Sequence, residues 1–214
     1  MKHTILFLAA NPTGTDRLAL DREARAIQVE LERSGHRDRF ELETRWAAEP
    51  LDLLRELRKL RPTVVHYSGH GGHEGLYFQA VDGTTQLVST DALEATVGAA
   101  GASVQVIVLN ACYTEPHAEA LLAHVDCVVG TSGALLDDAA RSFAIGFYGG
   151  LAEGCSVAAA YRQGCAAIRL EDPFDGPHRD IEDSRAAPSA RPEGPQLKVR
   201  PGVDAERLVL ANPR

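Results

Sequence analysis

The chain begins with a continuous apolar run, Ile5-Leu6-Phe7-Leu8-Ala9-Ala10, broken by Asn11-Pro12-Thr13-Gly14. Such a run between turn residues predicts a strand buried on both faces. Leu20, Ala24, Ile27 and Leu31 follow with charges between them, the single apolar stripe of a helix that stops near Gly35. Phe40–Thr44 alternates like a half-exposed edge strand. Pro50 opens a second helix, with Leu54, Leu57 and Leu60 on one face, that ends before Pro62. Thr63–Ser68 is β-branched and apolar, a strand that runs into Gly69-His70-Gly71-Gly72. Leu76–Val88 contains Asp82-Gly83, a hairpin turn, and a helix with Leu93 and Val97 inward starts near Thr90. Val104–Leu109 is the strongest buried-strand signal and leads into Asn110-Ala111-Cys112. A helix over Pro116–His124, a strand over Cys127–Thr131 and helices over Asp138–Ala152 and Ser156–Leu170 follow. Gln196–Arg200 and Leu208–Leu210 read as a terminal hairpin.

Strand and helix thus alternate through residues 1–170, which predicts an α/β layered fold with a mostly parallel central sheet and a small β-hairpin insertion. Residues 171–214 form a second unit in this reading. Its first part, 171–196, holds five of the eleven prolines and seven acids against three bases, the composition of a loop or poorly ordered segment. The terminal hairpin would complete the domain.

Composition narrows the chemistry mainly by exclusion. With 214 residues, 44% hydrophobic and 24% charged, the chain is globular rather than disordered or fibrous. A formal net charge of −8 argues against nucleic-acid binding, which rests on neutralising phosphates. No signal peptide or membrane-length apolar stretch is visible, so a cytoplasmic setting without membrane contact is expected, with the four cysteines as free thiols. No Cys-x-x-Cys pair occurs. His66, His70 and His73 would cluster as metal ligands on a helix, but the local pattern is strand then loop, so no metal site is expected. Asn11-Pro12-Thr13-Gly14 lacks a phosphate-loop glycine pattern.

In open α/β sheets, ligands bind beyond the carboxyl ends of the strands. Two such ends carry reactive side chains, His70 after the strand at 63–68 and Cys112 after the strand at 104–109. If the two strands are neighbours, imidazole and thiol share one rim, and imidazole is the natural base for a thiol nucleophile. The glycines beside His70 leave room for a peptide to approach. The amides of Gly71 and Cys112 are the expected oxyanion donors.

Val65-His66-Tyr67-Ser68-Gly69-His70-Gly71 followed by Val108-Leu109-Asn110-Ala111-Cys112-Tyr113 resembles the CHAT domain family, caspase-like cysteine peptidases of the clan that includes caspases, separase and gingipains. Leu8–Pro12, Gly130–Gly133, Asp138–Ala140, Phe143–Tyr148 and Leu151–Gly154 extend the likeness over residues 4–170. The resemblance implies a caspase-like three-layer α/β/α sandwich, with Cys112 as nucleophile and His70 as general base or as the acid for the leaving amine. It implies Gly71 as a backbone oxyanion donor. It places Asn110 at the pocket for the residue before the cleaved bond, and Asp138 is the candidate acid favouring a basic residue there. It further implies a cofactor-free cysteine endopeptidase acting on a protein substrate, a regulated bacterial defence or signalling effector answering to a separate sensor or regulatory protein. Two rivals remain: a catalytically inactive caspase-like scaffold, and a flavodoxin-like nucleotide-binding module.

Overall fold

The N-terminal apolar run becomes β1 (His3–Ala10), a central strand of the sheet in the computed structural model, which describes residues 2–171 and 194–211. After it come α1 (Leu20–Arg33), the edge strand β2 (Phe40–Trp46), α2 (Pro50–Leu60), β3 (Val64–Gly72), β4 (Gly75–Gln79), β5 (Thr85–Ser89) and α3 (Thr90–Ala100). Then follow β6 (Val106–Asn110), α4 (Glu115–Leu121), β7 (Cys127–Thr131), α5 (Asp137–Ala152), α6 (Val157–Glu171) and β8 (Pro195–Val199). The sheet order is β2-β1-β3-β6-β7-β8, parallel except for β8, and β4 and β5 form a hairpin carried by β3. The fold is the mixed α/β architecture with a mostly parallel sheet that the alternation predicts.

Side-chain alternation along the strands sets the two helical layers. Ile5, Phe7 and Ala9 of β1 pack with α1, α5 and α6, whereas Leu6, Leu8 and Ala10 pack with α2, α3 and α4. Both faces are therefore covered, which is why β1, β6 and β7 read as unbroken apolar runs. Local signals set the helix ends: Pro50 occupies the first turn of α2, and the Glu49 amide donates to Asp52 Oδ2 at 3.0 Å.

Two expectations are corrected. The strand predicted to stop at Ser68 continues to Gly72, because a second partner takes over: residues 64–68 pair in parallel with β6, and His70–Gly72 pair antiparallel with β4. The terminal hairpin does not form. β8 joins β7 antiparallel, and Val209 instead makes an isolated bridge to Ser156 at the start of α6. The C-terminal segment still belongs to the core, since Ala205, Leu210 and Ala211 are buried against α5 and α6. Of the loop expected at 171–196, residues 172–193 lie outside the described residues.

Candidate active site

β3 and β6 are parallel neighbours, with Ser68 opposite Asn110 as their last registered pair. His70 on β3 and Cys112 in the turn after β6 each stand two residues beyond that pair and so emerge at the same end of the sheet. Both line one small cleft of about 40 Å³, together with Glu23, Ser68, Leu135 and Asp137. A cavity of that volume holds a few water molecules. A second void of about 20 Å³ lies in the apolar layer beneath α2 and α3, lined only by side chains such as Leu53, Tyr67 and Leu93. With no polar wall to it, it offers nothing for chemistry.

The loop between β1 and α1 holds His70. His70 Nε2 lies 2.7 Å from the Asp16 carbonyl oxygen. A carbonyl oxygen only accepts, so Nε2 carries the proton and Nδ1 of a neutral ring is left with its lone pair. Asn11 braces this loop, donating from Nδ2 to the Leu18 carbonyl at 3.1 Å. The Thr13 amide donates to the Gly83 carbonyl at 2.9 Å, and the Ala19 amide to Asp137 Oδ2 at 2.9 Å. The Asn-Pro-Thr-Gly turn thus positions a carbonyl rather than cradling an anion.

The loop after β7 covers Cys112. The Leu135 amide donates to Cys112 Sγ at 3.3 Å, and the next residue along this turn, Tyr113, has φ of 55° and donates its amide to the Gly133 carbonyl at 3.0 Å. Thr114, fully buried, fixes this turn from beneath by accepting from the Thr131 amide at 2.9 Å. Gly71 comes close from the other side: a β-carbon there would stand 2.8 Å from the Cys112 carbonyl oxygen. His117 anchors the end of β3, with Nε2 at 2.8 Å from the Gly72 carbonyl and Nδ1 at 2.6 Å from Thr90 Oγ1.

Under the cleft lies a buried polar cluster that the apolar pattern does not announce. Glu23 of α1 is 4% exposed. Its Oε2 accepts from Ser68 Oγ, its Oε1 accepts from Asn110 Nδ2, and His66 Nε2 sits 2.9 Å from Oε1. The His66 contact is too poorly aligned for a full hydrogen bond. Burial pushes the Glu23 carboxyl up, but pairing with His66 and the bonds from Ser68 and Asn110 outweigh it and hold the group below the usual carboxylate range. Tyr148 of α5 lies 2.9 Å from His66 Nδ1, and its hydroxyl is raised well above the ordinary value by burial and by the Glu23 charge.

The structure brings His70, Gly71, Asn110 and Cys112 together at one rim and leaves Asp138 out. Asp138 points to solvent, its side chain 86% exposed, and pairs with Arg141 at 3.2 Å. The neighbouring Asp137, with Glu23, is among the residues that line the cleft. Asn110 borders the cleft, yet its Nδ2 is committed to Glu23 and to the Ala140 carbonyl at 3.3 Å. His66 stands in the core and stacks on Phe7, while His73 packs on Tyr113. Cys127 is buried and pushed up to about 12, first by burial and then by the Asp126 charge. Burial raises the Cys165 thiol as well, and Cys155 accepts from Gln163 Nε2 at 3.3 Å. Two contributors escape the sequence reading. The Asp16 carbonyl belongs to a loop and leaves no residue-type signal. Glu23 falls three residues after Leu20 and four before Ile27, within the apolar stripe of α1, and a carboxylate at that spacing is the mark that reveals it.

The fold is shared with cysteine proteases of known structure. Gingipain R, an Arg-specific cysteine proteinase, superposes with a TM-score of 0.56 at 12% identity, over 80% of this chain and 43% of that one. An inactive zymogen C11 protease from Parabacteroides distasonis does so at 0.54 and 13% identity, over 79% and 59%. The chain belongs to the CHAT domain family, whose profile matches residues 7–192. A Roc-COR-CHAT protease from an unknown prokaryotic organism is 28% identical over 80% of this chain and 17% of its own length. A probable protease of Gillisia limnaea is 22% identical over 84% of this chain and 32% of its own length. The chain thus spans at most about a third of either relative.

Proposed function

We propose that this CHAT domain is a cysteine endopeptidase acting through a Cys112–His70 dyad. The observation that carries the reading is the shared cleft, with a thiol and an imidazole from adjacent strand ends and the imidazole held by the Asp16 carbonyl. His70 Nδ1 takes the Cys112 proton as sulfur attacks the peptide carbonyl carbon. The amides of Gly71 and Cys112 receive the oxyanion. As the C–N bond breaks, the proton on His70 passes to the leaving amine. Water, deprotonated by His70, then hydrolyses the thioester and restores the thiol. No cofactor takes part in these steps.

A basic residue before the cleaved bond suits the acidic wall of the cleft, and Asp137 replaces Asp138 as the acid in this proposal. The substrate is a partner protein. The narrow cleft and the Leu135 contact at Cys112 support a resting state that a separate sensor or regulatory protein opens, in keeping with a cytoplasmic bacterial defence or signalling effector. The name of the Roc-COR-CHAT relative, which joins CHAT to other modules, supports such coupling.

The test incubates the purified protein with proteins encoded beside its gene and repeats the assay with Cys112→Ala and His70→Ala. Cleavage by the wild type and loss of at least about a hundredfold in both variants, with unchanged melting, is expected. Wild-type cleavage by either variant overturns the dyad.

A further inference from the structure

We propose that Glu23 is a positioning residue that fixes His70 against Cys112 by clamping the strands that carry them. This rests on the endopeptidase reading of the cleft. The backbone ladder between β3 and β6 ends at Ser68 and Asn110; beyond it, β3 turns to its hairpin partner β4 and β6 stops. Nothing in the sheet therefore sets the separation of residues 70 and 112. The last registered pair is where Glu23 acts: one carboxylate oxygen takes the Ser68 hydroxyl and the other takes the Asn110 amide.

The arrangement follows from two periodicities. Residues 66, 68 and 110 face the α1 side of the sheet because strand side chains alternate. Glu23 faces the sheet because it lies on the buried stripe of α1 with Leu20, Ala24 and Ile27. A planar carboxylate between two strands sets both spacing and angle, as two separate water-exposed side chains cannot. The clamp cannot swing, since Glu23 is 4% exposed and pairs with His66, which Phe7 and Tyr148 hold by ring contacts. Asn110 is held from the other side by the Ala140 carbonyl of α5.

A bridge with two arms makes a specific forecast: cutting either arm breaks it, and cutting both does little more. The experiment measures iodoacetamide alkylation of Cys112 against pH by peptide mass analysis. In parallel it measures hydrolysis of an aminomethylcoumarin peptide ending in arginine. Both are run on the wild type, His70→Ala, Cys112→Ala, Ser68→Ala, Asn110→Ala, their double variant, Glu23→Ala and Glu23→Gln, with melting curves for each. We expect Ser68→Ala and Asn110→Ala each to lower the His70-dependent alkylation and kcat about tenfold with KM nearly unchanged. The double variant should match the worse single one. Glu23→Gln keeps an amide oxygen to accept from Asn110 and an NH2 that can donate to the Ser68 hydroxyl oxygen, so both arms can re-form and it should recover most of what Glu23→Ala loses. Additive single effects, losses that follow melting temperature alone, or alkylation equal in the wild type and His70→Ala would overturn the clamp. If Glu23→Ala does not fold, the Ser68 and Asn110 cycle decides. Peptide hydrolysis that survives Cys112→Ala would instead refute the endopeptidase reading, leaving the clamp to be judged by alkylation.

Discussion

Gly71→Ala tests the approach of β3 to the Cys112 turn. The added methyl would stand 2.8 Å from the Cys112 carbonyl oxygen, 3.0 Å from Ala111 Cβ and 3.3 Å from Thr114 Cγ2. Ordinary contact begins at 3.4 Å, so the carbonyl oxygen must retreat by about 0.6 Å. None of the three atoms is the loose end of a side chain. The oxygen is main chain, Ala111 Cβ moves only with its backbone, and Thr114 is pinned through its hydroxyl to the Thr131 amide. The strain therefore enters the Cys112 segment itself. Overpacking of this kind costs about 1–3 kcal/mol, and the reduced freedom of the unfolded chain returns about 0.4–1 kcal/mol. A net loss of about 1–2 kcal/mol leaves a domain of ordinary stability folded. The displacement is large on the scale of catalytic geometry, where about 1 Å costs about a hundredfold in rate. Urea denaturation should show the small loss of stability, and hydrolysis of a substrate cleaved by the wild type should fall at least tenfold. Gly72→Ala is the control, because its methyl would meet only the Tyr77 hydroxyl, at 2.9 Å, the far end of a side chain that can swing away. Wild-type stability and rate in Gly71→Ala, or equal damage from Gly72→Ala, would refute the argument.

Asp137→Asn should lower the preference for arginine over an uncharged residue before the cleaved bond about tenfold, while Asp138→Asn leaves it unchanged. A side-chain amide oxygen still accepts from the Ala19 amide, so the loop keeps its tie, and profiling with a peptide library decides the matter. Equal responses from the two variants would remove Asp137 from the pocket. His117 supplies a pH dependence. Burial lowers it below 6.5, the bond to the Gly72 carbonyl opposes this, and the His73 charge adds to it. The unfolded chain therefore binds this proton more readily. The stability contribution is full above about pH 6.5 and declines as pH falls through the window below it. His117→Gln should flatten that decline in melting temperature measured from about pH 8 to 5, and parallel curves for variant and wild type would refute it.

Local periodicity carried much of this protein. The unbroken apolar runs of β1, β6 and β7 required strands covered on both faces, and the sequence placed strand ends near Ala10 and Leu109, whereas the end it placed at Ser68 falls inside β3. His70 and Cys112 stood out as candidates because the sequence places an imidazole and a thiol just past two apolar strand cores, although His70 itself lies within β3. What the sequence left open depended on contacts between segments far apart along the chain. The continuation of β3 to Gly72 is decided by β4, and the antiparallel place of β8 by the exposed edge of β7. Asp137 and Asp138 are equivalent in sequence, and the helical turn of about 100° between neighbours sends one to the cleft and the other to solvent. Glu23 lies 45 residues from Ser68 and 87 from Asn110, so its burial becomes intelligible only once the sheet sets β3 beside β6. Sequence by itself determined the layers and pointed to the two strand ends that carry the candidate imidazole and thiol, because burial follows a short repeat. Tertiary structure alone decided which carbonyl, carboxylate and loop surround them, because strand order joins residues that no local pattern relates.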